Sequence, residues 1–307
     1  MKTAENKNPL ICDIDTGMCE VPEAAAKAAG TDFSFKRKAV KIVYFTDPIC
    51  SSCWGIEPQL RKLKLEYGEY FEIEYRMGGL LPSWDIYSSG GINSPSDVAS
   101  HWEEAGDYYE MPMDGGVWLE DPLDSSYPPS IAVKAAELQS KEKGIPFMRK
   151  LREMLFLKKK NITKWEHLQQ AARETGLDTF QFKADYEGKA NELFREDLNL
   201  GKQLGVRGFP TLFFTDADNN QALVYGFRPY EVFENTIKKF VPVAEKKQYD
   251  HSPDRLFSHF PTLMTKEFAV LTEDSLANAE QVLTGLLAEG KVSNFKSKNG
   301  VLWMGKQ

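Results

Sequence analysis

The stretch Asp47-Pro-Ile-Cys-Ser-Ser-Cys-Trp-Gly55 decides how this 307-residue chain is interpreted. It follows the apolar run Val-Lys-Ile-Val-Tyr-Phe (40–45) and precedes a stretch with helical periodicity. A Cys-x-x-Cys at a strand-to-helix turn is typical of a redox site, because the free N–H groups and the dipole of the helix start stabilise a thiolate. We therefore expect Cys50 to attack with a lowered pKa. Cys53, one turn along a predicted active-site helix at about 50–67, would resolve the mixed disulfide.

Other interpretations of this pair fit less well. Half of a zinc site usually needs a second pair of Cys or His ligands, and no cysteine follows Cys53. A structural disulfide between neighbouring turns would close almost no loop. Asp47 has two interpretations that stay open: it assists proton removal from Cys53, or the Asp-Pro dipeptide only shapes the turn.

A second motif lies far along the chain, in Gly205-Val-Arg-Gly-Phe-Pro-Thr-Leu-Phe-Phe214. This loop brings Pro210 to the start of a predicted β-hairpin with strands on both sides of the turn 216–220. A cis Phe209–Pro210 bond would keep the backbone of Phe209 free to pair with an extended substrate beside the disulfide. We assign Pro210 to the catalytic site, and Phe209, Arg207 and Trp54 to substrate binding.

The two motifs together resemble the DsbA-like family of the thioredoxin superfamily over about residues 38–243. The segments Met77-Gly-Gly-Leu-Leu-Pro-Ser-Trp84 and Asp124-Ser-Ser-Tyr-Pro-Pro-Ser130 resemble the cytoplasmic branch of that family, which includes the Spx adaptor of the ClpXP protease. The resemblance implies a thioredoxin fold that carries an inserted helical domain.

The predicted fold class is therefore α/β, a thioredoxin fold with an inserted helical domain and a small α+β C-terminal appendage. We predict an N-terminal arm at 1–37, a thioredoxin domain at 38–84 and 200–243, an inserted domain at 85–199 and the appendage at 244–307. Residues 85–120 are expected to form a partly helical excursion near the active site. One helix is predicted from about 178 to 204, and a final hairpin is predicted to turn at Asn299-Gly300.

The amino-acid composition argues against some classes of binding partner. The chain has a net charge of −7 and a pI near 5.4, which argues against a nucleic-acid surface. No apolar run has the length of a signal-peptide core or of a membrane span, so we predict a cytoplasmic protein without a membrane partner. We predict no cofactor.

A further pair of cysteines, Cys12 and Cys19, lies in the polar N-terminal arm. The pair could form a disulfide and relay electrons to Cys50 and Cys53 by thiol exchange. It could complete a four-thiolate zinc site with them, or have no function. We take it forward as an auxiliary redox pair and predict no metal.

Two functions follow. The first is a thiol-disulfide oxidoreductase or isomerase that exchanges disulfides with protein or small-molecule substrates. The alternative, implied by the resemblance, is an adaptor that presents a transcription regulator to a protease. An oxidoreductase must cycle its thiols, whereas an adaptor need not.

Overall fold

The structure, a computed structural model, describes residues 38–87 and 91–306, together with the backbone of 11–12 and 18–20. Its centre is a parallel β-α-β unit. Strand β3 (Val40–Thr46) leads into the short helix α1 (Ser51–Gly55), helix α2 (Glu57–Tyr67) and strand β4 (Phe71–Met77). Strands β3 and β4 pair in parallel along their whole length.

A β-hairpin and a helix complete the unit. Strand β5 (Thr211–Asp216) pairs antiparallel with β3 and with β6 (Gln221–Tyr225), and helix α10 (Tyr230–Phe240) follows. The arm adds β1 (Ile11–Cys12) and β2 (Met18–Glu20), so the sheet order is β1-β2-β6-β5-β3-β4. The thioredoxin fold is confirmed.

Strand β3 is buried on both faces, as a central strand between two helical layers must be. Val40, Ile42 and Tyr44 pack in the cluster formed with α2 and α10. Val43 and Phe45 point to the opposite face, where they meet side chains near the end of the inserted helices. This burial holds the end of β3, and hence the cysteine turn, in one position.

The predicted active-site helix at 50–67 is in fact two helices separated at Ile56. Pro58 explains the break, because it has no N–H to donate to the carbonyl of Trp54 and its ring crowds that carbonyl. The cysteines therefore occupy a short helix of their own ahead of the longer α2.

The helices between β4 and β5 confirm the predicted helical insertion. The prediction of one helix over 178–204 is wrong, because Gly188 adopts φ −117° and ψ −113° and divides it in two. The helices are α3 (Pro95–Tyr109), α4 (Val117–Glu120), α5 (Tyr127–Gln139), α6 (Lys141–Lys158), α7 (Trp165–Glu174), α8 (Thr179–Glu187) and α9 (Lys189–Gln203).

The C-terminal module, residues 253–306, has a small core of its own that includes Leu263, Phe268, Leu283 and Trp303. Its sheet has the order β7-β9-β8, and the hairpin turns at 298–299, one residue earlier than predicted, because Ser297 pairs with Gly300. The elements are α11 (Pro253–His259), β7 (Thr262–Met264), α12 (Thr265–Thr272), α13 (Leu276–Ala288), β8 (Val292–Ser297) and β9 (Gly300–Gly305).

In the part of the chain that the structure describes, none of the helices is both long and apolar enough to cross a bilayer.

Candidate functional site

Cys50 and Cys53 lie at the start of α1, where β3 ends. Cys50 is the N-cap residue, and its Sγ accepts a hydrogen bond from the backbone N–H of Cys53 at 3.2 Å. Both side chains are free thiols. Cys50 is 4% exposed and Cys53 is 0% exposed. An incoming sulfur can therefore reach only Cys50, as expected for an attacking thiol.

The pKa values of the two thiols differ from the expectation based on the sequence, in which Cys50 has the lowered pKa. Burial raises the pKa of Cys50, and so does the neighbouring Cys53. Burial alone would also raise the pKa of Cys53. The hydrogen bond from Cys50, the positive charge of Arg152 and the Thr46 hydroxyl outweigh that effect, so the pKa of Cys53 is lowered. The inner thiol therefore has the lower pKa of the two.

The proline loop closes over this pair. The Phe209–Pro210 bond is cis, as predicted, and the Sγ of Cys50 lies 3.7 Å from the carbonyl oxygen of Phe209. Pro210 is buried at the start of β5, and the ring of Phe209 packs over Gly78. A Cβ on Gly78 would lie 2.0 Å from that ring. A larger residue at position 78 would therefore force the Phe209 ring to move.

A cavity of about 260 Å³ opens beside Cys50. Aromatic and aliphatic side chains form most of its wall, and His101 adds a polar group whose Nε2 lies 3.4 Å from the hydroxyl of Ser51. The aromatic lining comes from Trp84, Tyr87, Trp102, Trp118 and Phe209. The predicted excursion at 85–120 supplies much of this wall, and it could accept an apolar group of a bound molecule next to the thiol.

Asp47 is fully buried and joins three segments of the chain. Its carboxylate accepts hydrogen bonds from the N–H of Ile49 at 3.0 Å, the N–H of Leu80 at 2.7 Å and the hydroxyl of Ser126 at 2.9 Å. Burial raises its pKa to about 6 despite these hydrogen bonds. The turn-shaping interpretation is therefore visible in the contacts, and a pKa near neutrality also suits an acid-base group.

Two residues assigned to substrate binding lie away from the cavity. Trp54 is fully buried, stacks on Phe156 at 5.5 Å between ring centroids and donates its indole N–H to the Pro112 carbonyl at 3.1 Å. Its assignment to substrate contact does not fit this placement, because its ring is part of the core. Arg207 is exposed and does not line the cavity, whereas Phe209 does.

Arg152 of α6, which the sequence analysis did not select, lies directly behind the cysteine turn. It is fully buried, and its Nη2 donates to the Thr46 hydroxyl at 2.6 Å and to the Asp47 carbonyl at 3.3 Å. Its Nη1 pairs with Glu57 at 2.5 Å. The backbone N–H of Cys50 binds the same Asp47 carbonyl at 3.2 Å. Arg152 and the attacking cysteine are therefore connected through one backbone oxygen.

The pair of Arg152 and Glu57 belongs to a larger buried group, the active-site charge cluster, made of Glu57, Arg61, Arg149, Arg152, Glu153 and Glu267. Glu267 of the C-terminal module is fully buried and receives both Nη atoms of Arg149, at 2.8 and 2.9 Å, and the Nε of Arg61 at 3.2 Å. The cluster joins α2, α6 and α12, so the C-terminal module is attached to the helices behind the cysteines through buried charges.

A signal for this cluster is present in the sequence Arg149-Lys-Leu-Arg-Glu-Met-Leu-Phe156. Arg149 and Arg152 are three residues apart on a helix whose other side chains are largely apolar, and a charged residue on such a face requires a buried partner. The aromatic wall of the cavity carries no comparable signal, because aromatic residues on helices usually form core.

The arm cysteines are described only by their backbones. Cys12 lies opposite Cys19 in the antiparallel pair of β1 and β2, and Cys19 pairs with Leu223 of β6. Directly opposed residues of antiparallel strands have Cα atoms about 4.5–5.5 Å apart, within the range that a disulfide spans. Elsewhere, in the described residues, no three or more His, Cys, Asp or Glu side chains are grouped to hold a metal ion.

Comparison with known proteins agrees with this geometry. A thioredoxin family model matches residues 44–235, well over half of the chain and from the middle of β3 to α10. The ClpXP adapter protein SpxH of Halalkalibacterium halodurans is 35% identical over 305 residues, which cover 98% of each chain. The chain belongs to the SpxH family of ClpXP adapter proteins. The SpxH protein of Bacillus subtilis is 31% identical and covers 87% of this chain and 89% of its own.

Solved structures match a smaller part of the chain. The cytosolic disulfide reductase DsbM of Pseudomonas aeruginosa has a TM-score of 0.51 at 19% identity and covers 66% of this chain and 97% of its own. A candidate protein disulfide isomerase of Nitrosomonas europaea has a TM-score of 0.56 at 19% identity, with 66% and 96% covered. These likenesses show the DsbA-like fold.

Proposed function

We propose that this protein is an adaptor that binds a regulator of the Spx type and delivers it to a ClpXP-type protease. The observation that carries the proposal is the extent of the similarity to a ClpXP adapter, which covers 98% of both chains. The solved disulfide enzymes cover only 66% of this chain. The predicted cytoplasmic location is part of this proposal.

The surface around Cys50 supports protein binding. Beyond the cavity, Tyr108, Tyr109 and Phe227 form a cluster with ring centroids 4.8–5.7 Å apart, and Tyr108 is 71% exposed. The hydroxyl of Tyr109 lies 2.8 Å from that of Ser52, so this cluster adjoins the cysteine turn. Exposed aromatic side chains are common anchors at protein interfaces.

The test is degradation of purified Spx by purified ClpXP with and without the full-length protein. We expect the protein to accelerate degradation, and we expect Tyr108→Ser to weaken the acceleration while leaving the fold intact. Phe180→Ser is the matched control, because Phe180 is 90% exposed but lies on α8, away from the cysteines. No acceleration by the wild type would overturn the adaptor proposal.

A second candidate function is thiol-disulfide exchange, which the cysteine turn and the adjacent cis-proline loop favour. Cys50 first loses its thiol proton to solvent, and the thiolate so formed attacks one sulfur of a client disulfide, forms a mixed disulfide and releases the first client thiolate. The Cys53 thiolate then attacks the Cys50 sulfur, forms the Cys50–Cys53 disulfide and releases the second client thiolate. The client gains two electrons, and the cysteine pair loses them.

Cysteine substitutions separate the two functions. Cys50→Ser should abolish exchange with a small disulfide, and Cys53→Ser should accumulate mixed disulfides. Neither change should stop client delivery if delivery depends on binding alone. A Cys12→Ser/Cys19→Ser variant tests the auxiliary pair: slower turnover with unchanged single-turnover attack supports a relay, and unchanged turnover argues against one.

A further inference from the structure

We propose that Arg152 is a positioning residue for the cysteine pair: acting through the Thr46 hydroxyl, it stabilises negative charge on Cys53, and Glu57 limits that effect. The inference deepens the thiol function proposed above and rests on it for its consequence. The ionisation it describes can be measured without any client.

The hydrogen bond between Arg152 and Thr46 has a fixed direction. A guanidinium can only donate, so the Thr46 oxygen accepts from Nη2 of Arg152 at 2.6 Å. The proton of the Thr46 hydroxyl is then free to point to another acceptor. The Thr46 hydroxyl is one of the groups that lower the pKa of Cys53. Arg152 thus contacts Thr46 directly and, through the Asp47 carbonyl, shares an acceptor with the backbone N–H of Cys50 at the start of the cysteine turn.

The second step is burial. Arg152, Thr46 and Cys53 are all fully buried, and a charge acts more strongly where water does not screen it. The Nε of Arg152 has no hydrogen-bond partner in the described part of the chain. A positive charge near a thiol favours the thiolate.

The third step is the counter-charge. Glu57 pairs with Nη1 of Arg152 at 2.5 Å, while its other oxygen lies 3.7 Å from the Nε of Arg61 and 4.0 Å from Nη1 of Arg149. Glu57 therefore neutralises part of the positive charge behind Cys53. Removing the carboxylate should have the opposite effect on the thiolate from removing the guanidinium.

The other groups near the pair do not replace Arg152. Tyr44 lies on β3, and burial raises its pKa; Asp47 directly follows β3, and its charge opposes a thiolate at Cys50. From α3 come Tyr109, whose pKa is raised by burial, and His101, which contacts Ser51. Arg152 is the cation that acts on Cys53 most strongly among the described residues.

The experiment measures the ultraviolet absorbance of the thiolate against pH in the full-length protein, in a Cys12→Ser/Cys19→Ser background so that only the site pair contributes. Arg152→Met should raise the apparent pKa of the pair by about one unit or more, which corresponds to about tenfold less thiolate in the rising part of the curve. Arg152→Lys should restore most of the loss, because it retains the charge.

Two milder variants should change the apparent pKa of the pair in opposite directions, which structural damage alone would not do. Thr46→Val, nearly isosteric, should raise the apparent pKa by a smaller amount, whereas Glu57→Gln should lower it. Thr236→Val is the matched control for the first, since Thr236 is also fully buried but bonds within α10. Asp197→Asn is the control for a buried carboxylate outside this cluster. Both controls should leave the apparent pKa of the cysteine pair unchanged.

A second readout is the equilibrium of the pair with glutathione. Loss of thiolate stabilisation destabilises the reduced form, so Arg152→Met should increase the oxidised fraction at a fixed ratio of reduced to oxidised glutathione. The proposal is overturned if Glu57→Gln raises the apparent pKa, or if Thr46→Val leaves the curve unchanged. Should Arg152→Met not fold, Thr46→Val and Glu57→Gln decide the matter alone.

Discussion

Two groups of buried and half-buried charges hold the inserted helices against the thioredoxin sheet, and they differ in the part of the molecule that they adjoin. The active-site charge cluster lies behind Cys53 and reaches the C-terminal module through Glu267. The second group, the strand-end charge cluster, consists of Glu74, Arg76, Lys134, Glu137 and Asp197. There, Asp197 accepts from the N–H of Met77 at 2.9 Å and pairs with Arg76 at 2.7 Å and with Lys134 at 3.1 Å.

The difference shows how one kind of interaction serves two purposes. The strand-end charge cluster fastens the end of β4 to α5 and α9. The active-site charge cluster does the same for α2, α6 and α12, but one of its guanidiniums, that of Arg152, also affects an ionisable sulfur. A buried ion pair is weak evidence of net stabilisation, since desolvation offsets the attraction. Its arrangement nevertheless determines the charge that a neighbouring group experiences.

The largest effect on stability is expected for Glu267→Ala. The change leaves Arg149 and Arg61 buried without their shared carboxylate, and removing one partner of a buried ion pair costs about 3–5 kcal/mol. Urea unfolding of the full-length protein measures it. Glu273→Ala, at the exposed C-terminal end of the same helix, is the control and should cost much less. Equal losses in the two variants would contradict the importance of burial.

A smaller loss, about 2 kcal/mol, is expected for Asp197→Asn in the strand-end charge cluster. Asparagine can still accept from the N–H of Met77, and the side chain of Arg76 is 26% exposed, so water can solvate it. The same unfolding experiment gives this value. A loss larger than that of Glu267→Ala would reverse the proposed ranking of the two clusters.

The next prediction concerns Asp47 and the dependence of folding stability on pH. Its folded pKa of about 6 lies above the unfolded value, so its contribution to stability is present at low pH and is lost as pH rises through about 6. Between pH 7.5 and 5 this group alone should stabilise the fold by about 1.4 kcal/mol. The difference in unfolding free energy between wild type and Asp47→Asn, measured at both pH values, isolates the effect. An unchanged difference would argue against a raised pKa.

The smallest effect is expected at the tip of the C-terminal hairpin. Lys298 pairs with Glu103 at 2.7 Å, but the two side chains are 55% and 38% exposed. Exposed ion pairs contribute less than about 1 kcal/mol, so Lys298→Ala should change the unfolding free energy by no more than that. A loss comparable to that of Asp197→Asn would show that the hairpin tip, and not only the buried charges, attaches the module.

Local motifs made the cysteine turn and the cis-proline loop predictable. Cys-x-x-Cys between an apolar strand and a helix specifies a backbone arrangement through nearby residues, and so does Phe209–Pro210 ahead of a hairpin. Helix breaks were harder to place. Pro58 and Gly188 interrupt helices because of a missing N–H and of unusual dihedral angles, and the apolar periodicity continues across both.

The sequence by itself determined the identity of the thiols, the cysteine turn and the proline loop, because turn residues and proline act over a few positions. The thioredoxin fold with its helical insertion was implied by the resemblance of these motifs to the DsbA-like family. The tertiary structure alone decided which thiol has the lower pKa, and it placed Trp54 in the core. Arg152 is about 100 residues from Cys53 along the chain and Glu267 more than 200. Only folding removes the water between such charges, and their effect on a thiol depends on that removal.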